Sequence, residues 1–322
     1  MQNYKICVAP MLDWTDTHCR YFHRLLSPNA MLYSEMLTTG AILNHSQKYL
    51  EYNHKEHPLA LQIGGSDPKD LEACAKIAKR FNYDELNLNC GCPSERVQKG
   101  SFGACLMKET QLVADCYEAM TQADIRVSIK HRIGVDDIID YEFLRDFVGA
   151  LSNKGCEIFI VHARNAILKG LTPKENRSIP PLKYDYVYKL KQDFPNLTII
   201  INGGINTIQD SLLHLYNVDG VMIGRAAYHI PYILTQLDNA VFNTPIANRY
   251  EILEKIIEYC MEKVSQGIYL GMIIRHILGL FHGEINSRLW RQHLSNHAYL
   301  KSVKTSKDIK DFFNKGNELL KN

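Results

Sequence analysis

The nine cysteines contain no C-x-x-C pair, and their number is odd. A complete disulfide framework and a zinc ribbon are therefore excluded, and the thiols fit a reducing compartment. No apolar run approaches the roughly 18 residues of a membrane span. The N-terminal stretch reaches Asp13 before a signal-peptide core forms, so a cytoplasmic protein is expected. Triplets of the N-x-S/T type, such as Asn176-Arg-Ser178, are then chance. An excess of charge is lacking too: 37 Lys+Arg against 35 Asp+Glu leave +2, which alone points to no partner. What is present is ordinary globular material, 46% apolar and 22% charged, which excludes disorder as the main state. At about 150 residues per domain, the 322 residues make two domains or one large barrel with an appendage.

Eight short apolar or β-branched runs recur, at 6–11, 31–36, 59–64, 85–89, 126–130, 157–162, 198–202 and 220–224. They are continuous rather than alternating, as in strands covered on both faces of a parallel sheet. Longer helical patterns separate them. The pattern over 67–81 opens with a capping aspartate and a proline in the first turn; 109–122, 141–153, 184–194 and 207–216 read similarly. The fold class expected is α/β: a (β/α)8 TIM barrel over residues 1–242, followed by a smaller all-helical domain over 243–322. A doubly wound sheet is the rival, but its usual order has five or six strands.

Nearly every run ends in polar residues or glycine: Asp13, Glu35, Gln62, Asn87 and Asn89, Lys130, His162 and Arg164, Asn202-Gly203-Gly204, and Gly224-Arg225. In a barrel the C-terminal strand ends form the active-site face. A ring of amides, cations and an imidazole there implies a polar ligand. Loops after the seventh and eighth strands often hold a phosphate, so Gly203, Gly204, Gly224 and Arg225 are phosphate candidates: glycine admits close approach and arginine adds charged donors. Two ordinary tight turns are the alternative.

The fourth run leads into Asn87-Leu-Asn-Cys-Gly-Cys-Pro-Ser94. Cys90 and Cys92 alone are half a metal site with no further ligands nearby, so no metal is expected. On a catalytic loop Cys92 can serve as nucleophile or proton donor. Lys130 has three competing roles: a Schiff-base amine, a cation beside an anionic cofactor, or a salt-bridged structural lysine.

Several segments, in order along nearly the whole chain, resemble the signatures of the tRNA-dihydrouridine synthase family. They are Cys7-Val-Ala-Pro-Met-Leu-Asp-Trp-Thr-Asp16, Leu86-Asn-Leu-Asn-Cys-Gly-Cys-Pro-Ser94, Phe102-Gly-Ala-Cys-Leu-Met107, Lys130-His-Arg-Ile-Gly134, Val161-His-Ala-Arg164, Asn202-Gly-Gly-Ile205 and Gly220-Val-Met-Ile-Gly-Arg225. The stretch from His162 through Lys169 to Arg177, with Gly64-Gly-Ser-Asp-Pro68, is similar to the bacterial DusA subfamily, which acts at D-loop positions 20 and 20a. Cys90 and His131 depart from the aliphatic residue and threonine common at those places. The resemblance implies an FMN-binding barrel and a helical tRNA-binding domain. It implies NADPH as reductant, with NADH as the alternative, hydride delivery to uridine C6, and protonation of C5 by Cys92. It further implies that Pro10, Met11 and Leu12 back the flavin, that Gln62, Lys130 and His162 bind its ring edge and ribityl chain, and that Asn202, Gly203, Gly204, Gly224 and Arg225 hold its phosphate. Asn89 would lie beside the target base, with Lys174, Arg177, Arg288 and Arg291 as tRNA contacts.

A uridine in folded tRNA must leave its stack to be reduced, and phosphate contacts would position the rest. Residues 243–322 carry 12 Lys+Arg against 8 Asp+Glu, a net of +4, leaving −2 for the remainder. The basic excess thus lies in the tail. Partners expected are tRNA and NADPH, not membrane or DNA, with a monomer as the default state. The rival readings are an FMN-dependent reductase of a small pyrimidine or enone, a Schiff-base lyase using Lys130, and a non-catalytic RNA binder.

Overall fold

The computed structural model describes residues 3–321. One parallel sheet contains β1 (Ile6–Val8), β2 (Leu32–Tyr33), β3 (Leu37–Thr38), β4 (Leu59–Gly64), β5 (Glu85–Cys90), β6 (Arg126–Arg132), β7 (Ile158–His162), β8 (Thr198–Asn202) and β9 (Gly220–Ile223). Their lateral order is β1-β9-β8-β7-β6-β5-β4-β2, with β3 also beside β4. The open edges meet through a parallel bridge between Cys7 and Met31. There the Val8 N–H donates to the Met31 carbonyl and the Met31 N–H to the Ile6 carbonyl, both at 2.9 Å. β2 lies within the run expected at 31–36 and β3 just beyond it; both pair with β4 and fill one place beside it, so the ring has the eight strands of a (β/α)8 barrel. β1 stops short of the expected residue 11. Ala9 still donates to the Ile223 carbonyl (2.8 Å), but Pro10 has no N–H to continue the ladder.

The strands are apolar because both faces are covered. Outside, the helices Thr39–Tyr49, Pro68–Arg80, Thr110–Thr121, Tyr141–Ser152 and Tyr184–Asp193 pack each against the next. Asp67 caps the second of these, accepting from the Lys69 and Asp70 N–H groups at 2.8 and 3.1 Å, with Pro68 in the first turn. Inside, alternate residues converge: Cys7, Met31, Tyr33, Ala60, Ile158, Ile160, Ile200 and Met222 form one buried cluster with Tyr4 and Ala9.

The chain divides into two compact units, one of residues 3–13 and Ala30–Gly224, the other of Trp14–Asn29 and residues 225–321. The second is the all-helical unit expected after the barrel. Its limits differ from a boundary at 243: it starts at residue 225 and also takes in Trp14–Asn29 with the helix Thr17–Leu26. The Tyr21 ring stacks on Tyr259 with centroids 4.0 Å apart, and His18 Nδ1 lies 2.8 Å from the Tyr259 hydroxyl. Ser27 and Asn29 hydrogen-bond the buried Asp238 carboxylate. Asp16 caps the helix through the Cys19 N–H (3.0 Å) while its other oxygen accepts from Arg275 Nη2 (2.6 Å) and lies 3.0 Å from His276 Nε2.

Burial alone would raise the Asp16 carboxyl, but His276, the Cys19 N–H and Arg275 outweigh it and hold the group well below the usual carboxylate range. Its stabilising contribution is therefore present above the unfolded value of about 4 and is lost as pH falls below it. Asp16→Ala should cost at least about 1 kcal/mol at neutral pH from the cap alone. Urea titrations of wild type and variant should converge as the pH is lowered from about 4.

Candidate functional site

At one end of the barrel the inward positions change from apolar to polar. Residues 85, 87 and 89 share one face of β5, as period two requires. Asn87 is in register with Gln62 on β4 and with Ser128 on β6. Gln62 Nε2 donates to Asn87 Oδ1 (2.8 Å), Asn87 Nδ2 to Ser128 Oγ (2.8 Å), and Ser128 Oγ to Glu85 Oε1 (2.5 Å). Tyr4 and Tyr33 also donate to Glu85, whose carboxyl burial lifts to about 7 against the pull of Ser128, Tyr4 and Arg126. Asn89 Nδ2 donates to Gln62 Oε1 at 3.0 Å. Gln62 and Asn87 are thus interior members of a buried network, not turn residues at strand ends.

The cysteine loop grows directly from that network. Asn89 Oδ1 accepts from the backbone N–H groups of Gly91 and Cys92, each at 3.0 Å. The Cys92 carbonyl accepts from the Ala104 N–H at 2.9 Å. That closure needs Gly103: its φ is +78°, and a Cβ there would stand 2.5 Å from the Cys92 carbonyl oxygen. The backbone of Cys92 is held on both sides while its half-buried sulfur lies 3.6 Å from Ser94 Oγ. Cys90, in contrast, points into the core with no exposure, and burial pushes its thiol up.

Cations gather beside the loop. Lys130 Nζ donates to Asn202 Oδ1 (3.2 Å), and Asn202 in turn donates to the Met222 carbonyl (2.7 Å). Arg132 is buried and ties the loops after β5 and β7 together through the carbonyls of Gly91 (3.1 Å), Asn165 (3.1 Å) and Asn176 (2.9 Å). Desolvation, then repulsion from Arg132, lowers Lys130 to about 7. Arg132 itself is lowered to about 10, chiefly by burial, and stays charged. Burial, then Arg132, Lys130, Arg164 and Arg177, hold His162 well below its ordinary value, so its imidazole is neutral at pH 7. The main electrostatic neighbours of Lys130, Arg132 and His162 are one another, other arginines and the Cys92 sulfur, not carboxylates. Such a site is built for an anion.

Gly203 and Gly204 follow β8 with φ of +113° and +73°. A Cβ on Gly203 would lie 2.6 Å from the His162 ring, so a bare backbone edge lies beside the imidazole. The Tyr184 hydroxyl fixes the turn by donating to the Gly203 carbonyl (2.8 Å). Gly224 follows β9, and Arg225 opens the next helix, Arg225–His229. Pro10 and Met11 are half-buried and Leu12 is 62% exposed, in the loop after β1. The cationic cluster, the bare glycine turn and the exposed apolar loop together fit a phosphate-bearing cofactor with a flat apolar ring. Lys174 and Arg177 are exposed on the loop after β7. In the helical unit, Trp290 and Leu294 are buried on helix Ser287–Leu294, which turns Arg288 and Arg291 outward.

The sequence model described as Dihydrouridine synthase (Dus) matches residues 7–315. The chain belongs to the dihydrouridine synthase family. It is 56% identical over 299 residues to a tRNA-dihydrouridine(20/20a) synthase of Vibrio parahaemolyticus, covering 92% of each chain. It is 55% identical over 299 residues to the proteins of that name from Yersinia pestis and from Escherichia coli strain K12, covering 92% of this chain and 87% of each of those. As a member of this family the protein is an enzyme.

Three residues of this dihydrouridine synthase escaped sequence reading as site members: Glu85, Ser128 and Arg132. Their signal was period two: 85, 87 and 89 on one strand, and 128, 130 and 132 on the next, share the inward face with Asn89 and Lys130. In ligand-free protein, folded Lys130 loses its proton near pH 7, whereas an unfolded lysine keeps it to about 10.4. Between these values the unfolded chain binds more protons, so stability should rise with pH relative to Lys130→Met. Denaturant titrations of both proteins from about pH 6 to about pH 10 check the sign. A constant difference would mean that Lys130 is solvated.

Proposed function

We propose that the protein is an FMN-dependent tRNA-dihydrouridine synthase that reduces D-loop uridines at positions 20 and 20a with NADPH. The observation carrying this reading is the likeness to tRNA-dihydrouridine(20/20a) synthases over 92% of the chain. It coincides with a clamped cysteine beside a cationic site that has no carboxylate among its main electrostatic neighbours. The redox step, hydride from NADPH and on to uridine C6, is the chemistry a bound FMN supplies. The chain's own residues do the rest. Gly203 and Gly204 offer backbone N–H groups to the phosphate, with Gly224 and Arg225 completing the grip. Lys130, Gln62 and His162 meet the ring edge and ribityl chain, Asn202 orients Lys130, and Pro10, Met11 and Leu12 back the ring. Lys130 would place a positive charge beside the flavin ring, where it would favour the reduced, anionic form of a bound FMN. Cys92 donates its proton to C5 as C6 receives hydride, and the thiolate is reprotonated from solvent. The balance is uridine, NADPH and one proton in, dihydrouridine and NADP+ out. Asn89, which accepts the Cys92 N–H, is the residue proposed to stand beside the flipped base.

Removing this proton donor should leave flavin binding and reduction intact. Cys92→Ala should stay yellow and be bleached by NADPH, yet form dihydrouridine about 10²–10⁴-fold more slowly. Product at the wild-type rate would remove Cys92 from the chemistry. The lowered basicity of Lys130 also suits a Schiff-base lyase; a colourless protein whose substrate is trapped by borohydride would favour that second reading.

Lys174 and Arg177 on the barrel loop, with Arg288 and Arg291 on the tail helix, are the proposed tRNA contacts, matching the +4 carried by residues 243–322. Replacing Arg288 and Arg291 together by alanine should reduce the slope of log K against log salt by about 0.7–0.9 per lost phosphate contact. NADPH oxidation with a small acceptor should be unchanged. Equal tRNA affinity across a salt series would sink this docking role.

A further inference from the structure

The hydrogen bonds of the polar lumen all run one way. Asn89 donates to Gln62 (3.0 Å), Gln62 to Asn87 (2.8 Å), Asn87 to Ser128 (2.8 Å), and Ser128 to Glu85 (2.5 Å). An ionised carboxylate only accepts, so Ser128 must spend its single proton on Glu85 and receive the Asn87 amide on a lone pair. Each carboxamide then keeps its nitrogen toward Glu85 and its oxygen away. At the far end this leaves Asn89 Oδ1 facing the Gly91 and Cys92 N–H groups, 3.0 Å from each. Reversing the chain would set amide N–H against backbone N–H at Cys92. All five members are buried, so water is not at hand to correct a reversed amide.

We propose that Glu85 is a positioning residue for Cys92: through Ser128, Asn87, Gln62 and Asn89 it fixes the carboxamide orientation that clamps the cysteine loop. Only the catalytic consequence rests on the reading of Cys92 as proton donor; the clamp itself does not. Glu85 has no exposed surface and acts only through its protein partners. It acts at the closed end of the lumen, where Tyr4 and Tyr33 give it further donors and Arg126 stands behind Tyr4 (3.5 Å).

The test reads thiol reactivity in the full-length protein, above the value of about 7 to which burial lifts Glu85. Iodoacetamide labelling is followed cysteine by cysteine by mass spectrometry. Ser128→Ala cuts the relay while keeping the carboxylate, and Asn87→Ala cuts it one link further on. Both should raise Cys92 labelling by about fivefold, the opening expected when one hydrogen bond of ordinary net strength is lost. Half-buried Cys105 should be unchanged, and buried Cys7 and Cys156 should stay unreactive. A second measurement uses Asn89→Asp, whose carboxylate clamps the loop either way round but sets an acceptor at both ends of the relay. It should lower the melting temperature in the wild-type background and lower it less beside Ser128→Ala, so the pair should be non-additive. Unchanged Cys92 labelling in both cut variants, labelling of every thiol alike, or strict additivity would each overturn the proposal. If Cys92→Ala retains full activity while Ser128→Ala still loosens Cys92, the clamp stands and the proton-donor reading fails.

Discussion

A closed parallel barrel sends every second residue of each strand into a lumen with no room for stray water, and most of this structure follows from that constraint. An inward residue must either pack or find a partner from another strand. At one end the answer is packing: Cys7, Met31, Ala60, Ile160, Ile200 and Met222 fill the space. Beyond them, the inward residues on three neighbouring strands are Gln62, Asn87, Ser128 and Asn89, and they satisfy one another. The same alternation that places Glu85 in the floor places Asn89 at the mouth. The cysteine loop hangs from the last member of this series, so its position is set by the ladder and not by the loop's own sequence alone.

Charge is handled in the opposite spirit. Gln62, Asn87 and Asn89 each both donate and accept within the protein, whereas Lys130 and Arg132 are desolvated beside neutral oxygens. Burying a cation without a counter-ion is unfavourable, and Lys130 is accordingly lowered to about 7. A site that keeps such residues without carboxylates among their main neighbours recovers the cost only when an anion arrives. A negatively charged ligand is therefore also a stabilising one, since binding to the folded state alone shifts the unfolding equilibrium.

The strand runs were legible because continuous apolar stretches of four to six residues have few alternatives once eight of them alternate with helical patterns. All eight contribute a strand to the ring, although the 31–36 run does so only at Leu32–Tyr33 and the short strand Leu37–Thr38 lies just beyond it. Helix Pro68–Arg80 was legible from its helical pattern, its capping aspartate and its first-turn proline. What could not be read was partnership. Gln62 and Asn87 look like turn residues in one dimension, and only the register of β4, β5 and β6 reveals that they face each other. Arg132 follows His131 in a motif whose period-two pattern sends it inward with Lys130, yet its three carbonyl partners come from loops up to 44 residues away. Helix Thr17–Leu26 was missed because its apolar face is largely histidine, tyrosine and cysteine, residues that mark a core only when the partner is known.

That helix also bears on how the tail should be dissected. Cutting the chain at residue 243 would look like a clean removal of a basic domain. It would leave His18 and Tyr21 without Tyr259, and Asp16 without Arg275 and His276. The N-terminal cap would then hold a carboxylate that had lost its Arg275 and His276 partners, and two aromatic surfaces would be exposed to water. Helix Thr17–Leu26 follows directly on the loop that carries Pro10, Met11 and Leu12, so a truncation would disturb the chain next to the proposed flavin contacts. Loss of flavin in such a fragment would say nothing about RNA. Arg288 and Arg291 avoid this ambiguity: they are exposed on a helix whose buried side is Trp290 and Leu294, so truncating them leaves the packing that holds the helical unit together.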